Sequence, residues 1–170
     1  MTREQKIVLA GAAGGVIVMV AAMALLAHLI SPPVGAETLE GRLAAALRWD
    51  AVAALPFFAM LAAVGNARFT SDAIDPTRGV EDRKTMINGR VADNTAQQLL
   101  LFLAGTLGLA ASLPPDLMSL IPAAAIVFVA ARMLFWIGYR IDPLYRAFGF
   151  SSTAYLNLGL LVGSLWFWLA

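Results

Sequence analysis

The chain has 170 residues, enough for about one domain, and 60% of them are hydrophobic. Charged residues make up 14%, against roughly a quarter in soluble domains, so a water-soluble fold would have too little polar surface to cover its apolar residues. The net charge of +1 gives no reason to expect a nucleic-acid partner, and the lack of cysteine together with a single histidine excludes disulfides, thiolate metal sites and paired-histidine metal centres.

Five apolar segments approach the ~20 residues that a helix needs to cross the hydrocarbon core of a bilayer. Proline, glycine or charged residues separate them, as is typical of connections between helices. The sequence therefore predicts an all-α integral membrane protein with five transmembrane helices. In chain order the predicted spans are residues 7–30, 43–64, 94–113, 117–139 and 153–170.

The first span has two interpretations. Residues 1–6 are positively charged, and residues 34–36 could serve as the cleavage site of a signal peptide. The apolar run of residues 7–30 is longer than the ~7–15 residues of a signal peptide core, so we favour a retained helix. Gly11 and Gly15 form a small-xxx-small pair within it, which predicts a contact with another helix.

The distribution of lysine and arginine predicts the orientation, because these residues are enriched on the cytoplasmic side. With five spans, the amino terminus, the long connection and the last connection lie on one side. That side carries Arg3, Lys6, Arg68, Arg78, Arg83, Lys84, Arg90, Arg140 and Arg146. The other side carries only Arg42 and Arg48, which places the amino terminus in the cytoplasm and the carboxyl terminus outside.

Polar residues near the cytoplasmic ends of the last helices need an explanation, because ionisable groups in membrane helices are functional candidates by default. Arg90, Asn94 and Gln97 are four and three residues apart and share one helix face. Arg132 and Tyr139 share a face of the next span. Arginine supplies forked donors for carboxylates, and asparagine supplies both a donor and an acceptor. These faces could hold an anionic, peptide-like ligand, although arginines at helix ends also snorkel to lipid headgroups.

Three stretches resemble motifs of the MAPEG family, the membrane-associated proteins in eicosanoid and glutathione metabolism. GRVADNTAQQ at residues 89–98 resembles the family's Arg-xxx-Asn-Thr-Leu-Glu-Gln signature. ARMLFWIGY at 131–139 resembles its Arg-xx-Tyr-xxx-Tyr helix, and DPLYRAFGF at 142–150 resembles the Pro-x-x-Arg segment that follows. Order and spacing agree over roughly residues 50–170.

The resemblance implies a MAPEG-like four-helix transmembrane bundle over residues 43–170. Residues 1–36 would then be a cytoplasmic start and an additional helix, as in a bacterial-type member in the inner membrane. The family resemblance also implies a homotrimer that binds glutathione between subunits and takes a lipophilic substrate from the lipid. Carried over by position, the glutathione-binding residues are Arg90, Asn94 and Gln97, with Arg132 and Tyr139 from the neighbouring subunit. Arg146 would stabilise the thiolate.

Four departures from the family pattern leave two functions open. Gln97 stands where the family usually has a glutamate that pairs with the glutathione amine, and Asp93 where a basic residue is common. Phe135 replaces a frequent tyrosine, and Ala147 replaces a serine found in some members. The first function is a glutathione transferase or peroxidase acting on a lipophilic electrophile. The alternative is a non-catalytic trimeric protein that binds membrane lipid.

Overall fold

The computed structural model describes residues 1–75, 77 and 81–170, and over these residues the chain is all-helical, with no strand. Two short 3-10 helices, Asp72–Ile74 and Pro115–Leu117, lie in the connections. Arg78, one of the residues counted for the orientation, lies outside the described residues. The five α-helices are α1 (Arg3–Leu29), α2 (Leu39–Phe69), α3 (Arg83–Ser112), α4 (Leu120–Ile141) and α5 (Arg146–Leu169).

All five helices are long and apolar enough to cross a membrane, which confirms the predicted number of spans. Two of them begin well before the apolar runs that revealed them: α3 at Arg83, and α5 at Arg146. The predicted connection over residues 140–152 is therefore too long, because helix ends are set by local backbone capping and not by hydropathy. Asp82 caps α3 by accepting a hydrogen bond from the Thr85 backbone N–H at 2.7 Å.

The central core is formed by α2, α3, α4 and α5. Phe102 of α3 and Phe128 of α4 are fully buried, and their ring centroids lie 4.5 Å apart. Polar side chains within this core are paired across helices: the Thr106 hydroxyl lies 2.8 Å from an Asp50 carboxylate oxygen, and the Asn157 amide donates to the Gln98 side chain at 2.9 Å. Such pairing is expected where lipid offers no hydrogen-bond partner.

Helix α1 packs against α5 and α4 on one side of the bundle and contributes Met19 to this core. Gly15 is one of its two buried residues, and a Cβ there would collide with the Phe148 carbonyl oxygen of α5. A Cβ at Gly11 would lie 3.4 Å from the Ala147 Cβ. The two glycines therefore allow α1 to approach α5 closely, which confirms the helix contact predicted from their spacing.

Candidate functional site

At one edge of the bundle, the connection between α4 and α5 meets the first half of α3 and leaves a cavity of about 580 Å³. This volume is in the range of small-molecule sites, and we call the cavity the α3–α5 pocket. All three sequence motifs and the amino-terminal half of α1 contribute to it. Its lining residues are Val8, Ala12, Arg90, Asn94, Phe135, Tyr139, Leu144, Arg146, Ala147, Phe150, Ser151, Ala154 and Tyr155.

Two of the three residues predicted to share a face of α3 line this pocket. Arg90 is exposed and Asn94 is half-buried, and they stand one helical turn apart. Gln97, the third, is exposed and does not line the pocket. The structure therefore brings together Arg90, Asn94, Tyr139 and Arg146 and leaves Gln97 outside the group.

Arg132 does not line the pocket either. Its side chain is fully buried, with no acidic residue paired to it in the described part of the chain. Its guanidinium donates to the Thr95 hydroxyl at 2.7 and 3.2 Å, to the Thr153 hydroxyl at 3.1 Å and to Asn94 Oδ1 at 3.0 Å. The charge is thus surrounded by neutral oxygens from α3 and α5, and Arg132 acts on the pocket through Asn94.

The hydrogen bond from Arg132 determines how Asn94 faces the pocket. Arginine can only donate, so the amide oxygen of Asn94 must point toward it. The amide nitrogen, with two donor hydrogens, is then available to a ligand. Asn94 therefore presents hydrogen-bond donors, which suits a carboxylate or a peptide carbonyl group.

Aromatic rings connect the buried arginine to the pocket surface. The Arg132 guanidinium lies 4.0 Å from the Phe135 ring centroid, and Phe135 contacts Tyr139 edge-on at 5.8 Å. The Arg146 guanidinium lies 5.2 Å from the Tyr139 ring on the far side. The contacts of Phe135 with Arg132 and Tyr139 follow from the three- and four-residue spacing on α4, whereas the contact of Arg146 with Tyr139 joins α5 to α4. The Phe135 ring retains this stacking although it lacks the hydroxyl common in the family.

Arg146 is the first residue of α5, not part of a long connection. Its guanidinium donates to the Pro143 carbonyl at 2.8 Å, and its remaining donors are not engaged in described hydrogen bonds. The positive end of a helix dipole already favours an anion at this position. With Arg90 nearby and no acidic residue among the lining residues, the pocket is electrostatically suited to an anionic ligand.

Several residues that shape the site belong to no sequence pattern that would have identified them. Thr95 and Thr153 each hold Arg132, but single threonines are common in apolar helices. Gly149 lets α5 approach α4 so closely that a Cβ there would lie 2.5 Å from the Phe135 backbone nitrogen. Their contribution depends on which helices are neighbours, and one sequence alone does not give that information.

The motifs at residues 89–98 and 131–139 contact each other within this chain. The family resemblance implies that Arg132 and Tyr139 reach the site from a neighbouring subunit. Within this chain, Arg132 contacts Asn94, and Tyr139 lines the same pocket as Arg90.

Taken together, the fold and the site define an all-helical membrane protein with a cationic pocket at one edge of a four-helix core. The sequence model of the MAPEG family matches residues 46–166, and the chain belongs to the MAPEG family. The matched region comprises most of α2 and nearly all of the following helices, whereas α1 lies outside it.

Two curated relatives each match 130 residues of the chain. The chain is 25% identical to transmembrane protein 79 of Mus musculus over 130 residues, and 23% identical to transmembrane protein 79 of Bos taurus over the same length. In both cases the alignment covers 76% of this chain but 33% of the relative, so the chain spans about a third of the length of these relatives. No solved structure matches the chain significantly.

Proposed function

We propose that the protein binds glutathione in the α3–α5 pocket and uses its thiol on a lipophilic electrophile, as a membrane-bound transferase or peroxidase. The observation that carries this proposal is that Arg90, Asn94, Tyr139 and Arg146 all line one cavity. Glutathione carries two carboxylates, which the two exposed guanidinium groups can bind, and peptide carbonyls, which suit the Asn94 amide. Apolar residues make up most of the remaining lining, as a lipophilic second substrate requires.

Arg146 carries the chemical role in this proposal. A free thiol has a pKa near 8.5, so only about 3% of it is thiolate at pH 7. A guanidinium beside the sulfur that lowers this pKa by about two units, a differential interaction of ~2.7 kcal/mol, raises the thiolate fraction roughly 25-fold. In transfer, the thiolate forms a carbon–sulfur bond as a leaving group departs with its electron pair. In peroxidase chemistry, two glutathiones reduce a lipid hydroperoxide to an alcohol, giving glutathione disulfide and water.

Conjugation of a model electrophile by the purified protein tests this function. We expect Arg146→Ala to lower turnover at pH 7 by about ten-fold or more, and a rise to pH 9 to recover much of the loss because the thiol then ionises unaided. Arg146→Lys keeps the charge but not the fork and should retain part of the activity. An unchanged turnover of Arg146→Ala at pH 7 would contradict the thiolate role.

A second candidate is a non-catalytic protein that binds membrane lipid. It is favoured by the position of Gln97, which lies outside the pocket and leaves a glutathione amine without a partner there. It is also favoured by the contacts of Arg146 with the Pro143 carbonyl and the Tyr139 ring, which occupy part of its guanidinium. Under this alternative the purified protein would retain lipid through detergent extraction but would not accelerate conjugation.

We propose that the protein is a homotrimer in a bacterial inner membrane with its amino terminus in the cytoplasm. Family membership supports the trimer, and the nine-against-two distribution of lysine and arginine supports the orientation. Native mass spectrometry in mild detergent tests the assembly. Because the chain lacks cysteine, Ser31→Cys should react with an impermeant reagent added outside, and Thr77→Cys should not.

A further inference from the structure

A second cavity lies between the first turns of α3 and the last turn of α4, and it shares no lining residue with the α3–α5 pocket. It has a volume of about 480 Å³ and is lined by Asp82, Arg83, Lys84, Ile87 and Arg140. We call it the α3–α4 notch. Its three cationic side chains are exposed and outnumber its one carboxylate, so the notch carries an excess of positive charge.

The cations of the notch have no counter-ion in the described part of the chain. None of the three donates a hydrogen bond or forms an ion pair there. The nearby carboxylates are engaged otherwise. Asp82 accepts a hydrogen bond from the Thr85 backbone N–H at 2.7 Å, and Glu81 pairs with Arg68 at 2.6 Å. Asp142 accepts from a backbone N–H of its own turn at 2.8 Å. The donors of the notch are therefore available to an anion from outside.

A fixed aromatic ring supports the α4 side of the notch. Trp136 Nε1 donates to Asn88 Oδ1 at 2.9 Å, and Asn88 is buried, so this hydrogen bond ties α4 to α3. The Arg140 guanidinium, one turn further along α4, lies 6.0 Å from the Trp136 ring centroid, at the outer limit of a cation–π contact. The ring thus helps to hold Arg140 beside the cations of α3.

An apolar stripe of α4 leads from the membrane interior to the notch. Leu134, Ile137 and Arg140 follow one another at three-residue spacing and share one helix face. About half of the surface of Leu134 and of Ile137 is exposed. In a membrane, exposed apolar side chains of this kind contact acyl chains. A cationic cavity at the end of such a stripe matches the shape of a phospholipid, with its phosphate at the membrane edge and its chains along the helix.

We propose that the α3–α4 notch binds the headgroup of an anionic membrane phospholipid. The two guanidinium groups offer forked donors to phosphate oxygens, and Lys84 adds a point charge. Basic cavities between membrane helices on the cytoplasmic side bind anionic headgroups, and the proposed orientation places the notch on that side. The proposal does not rest on glutathione binding, because the two cavities have separate linings.

Native mass spectrometry in mild detergent measures the lipid preference. We expect phosphatidylglycerol to bind at least about ten-fold more tightly than phosphatidylcholine, whose choline offsets the phosphate charge. Arg140→Gln should weaken phosphatidylglycerol binding about five-fold, and the triple variant with Arg83→Gln and Lys84→Gln about 100-fold, since each basic residue near an anionic lipid contributes to a similar extent. Arg140→Lys keeps the charge and should retain most of the affinity.

Lys6→Gln is the matched control. Lys6 is an exposed cation that the proposed orientation places on the same side of the membrane, but it does not line the notch, so its loss should change the affinity by less than two-fold. Equal affinities for the two lipids, or equal losses in the Lys6 and Arg140 variants, would overturn the proposal. So would displacement of the lipid by millimolar inorganic phosphate at matched ionic strength, since the ligand would then be a free phosphate.

Tryptophan quenching locates the bound lipid. In a variant that keeps Trp136 as its only tryptophan, brominated phosphatidylglycerol should quench more strongly than brominated phosphatidylcholine at the same mole fraction. The difference should vanish when Arg140→Gln is added. A variant that keeps only Trp168, at the opposite end of the bundle, should show no difference. No difference at Trp136, or an equal one at Trp168, would overturn the site. The substituted cations are exposed, and thermal unfolding checks that each variant is folded; if the triple variant is not, Arg140→Gln alone decides. A wild type that does not bind glutathione would contradict the proposed function and leave this test unchanged.

Discussion

Arg132 is a buried charge without an acidic partner in the described part of the chain. We therefore expect an apolar replacement to be more stable than one that keeps the charge. We expect Arg132→Met to be more stable than Arg132→Lys, although lysine keeps the charge. Lysine retains the cost of burying a cation, several kcal/mol in real proteins, but its compact ammonium group cannot reach both Thr95 and Thr153 as the forked guanidinium does.

Methionine loses every hydrogen bond of the guanidinium but leaves no charge in the core. The two threonines retain backbone acceptors, since Thr95 also donates to the Val91 carbonyl at 2.7 Å and Thr153 to the Gly149 carbonyl at 3.1 Å. Replacing buried ionic groups with apolar side chains of similar volume is often neutral or stabilising by about 1–4 kcal/mol. We therefore expect the free energy of unfolding of Arg132→Met to exceed that of Arg132→Lys by about 1–3 kcal/mol.

Thermal unfolding in detergent measures this difference. At about 2–4 °C per kcal/mol for a chain of this size, the Tm of Arg132→Met should lie several degrees above that of Arg132→Lys. Arg132→Met should also weaken ligand binding by about ten-fold, because Asn94 loses the hydrogen bond that orients it. A lysine variant at least as stable as the methionine variant would refute the reasoning, since it would show that the charge itself stabilises the core.

Three further predictions follow from local geometry. Gly149→Ala should destabilise the protein by about 1–3 kcal/mol, because its Cβ would meet the backbone of α4. Gly159→Ala, whose Cβ would meet open space, should be neutral or stabilising by up to ~1 kcal/mol. Thermal unfolding measures both effects. Asp82 has its pKa lowered below 3.8, chiefly by its hydrogen bond from Thr85, so its stabilising effect on the first turn of α3 is complete above that value and is lost as the pH falls through the lowered pKa. The protection factors for hydrogen exchange at the start of α3, measured against the intrinsic exchange rate at each pH, should therefore fall in acid, whereas in an Asp82→Ala variant they should be low at every pH. Gln97→Glu should change glutathione affinity by less than two-fold in calorimetry, because the residue does not line the pocket; a clear tightening would place a binding partner at Gln97.

The sequence was sufficient for the number of helices, because each apolar run is close to the thickness of a bilayer. The sequence did not predict the residues at which α3 and α5 begin. Residues 83–93 are helical but too polar for a hydropathy window, and their helix starts at the Asp82 cap. At α5, the short turn from Asp142 to Tyr145 ends sooner than the polar composition of residues 140–152 indicated.

Within the site, helical spacing predicted which residues share a face but not which of them meet a cavity. Asn94 and Gln97 lie on the same side of α3, yet only Asn94 lies opposite the start of α5. The Arg132 side chain also could not be placed from its spacing, because its partners, Thr95 and Thr153, lie on two other helices. Contacts between helices depend on which helices are neighbours in the fold. The periodicity along one helix does not give that information.

The three arginines associated with the pocket therefore have different electrostatic requirements. Arg132 is satisfied by neutral oxygens of its own chain and needs no ligand. Arg90 and Arg146 are exposed, line the pocket and meet no acidic residue among its lining, and the positive end of α5 adds to their field. An anionic ligand would thus be held by Arg90 and Arg146, while Arg132 orients Asn94 from behind. It follows that the salt dependence of ligand binding should fall when Arg90 or Arg146 is neutralised and should persist in Arg132→Met, because screening acts on exposed charges far more than on buried ones.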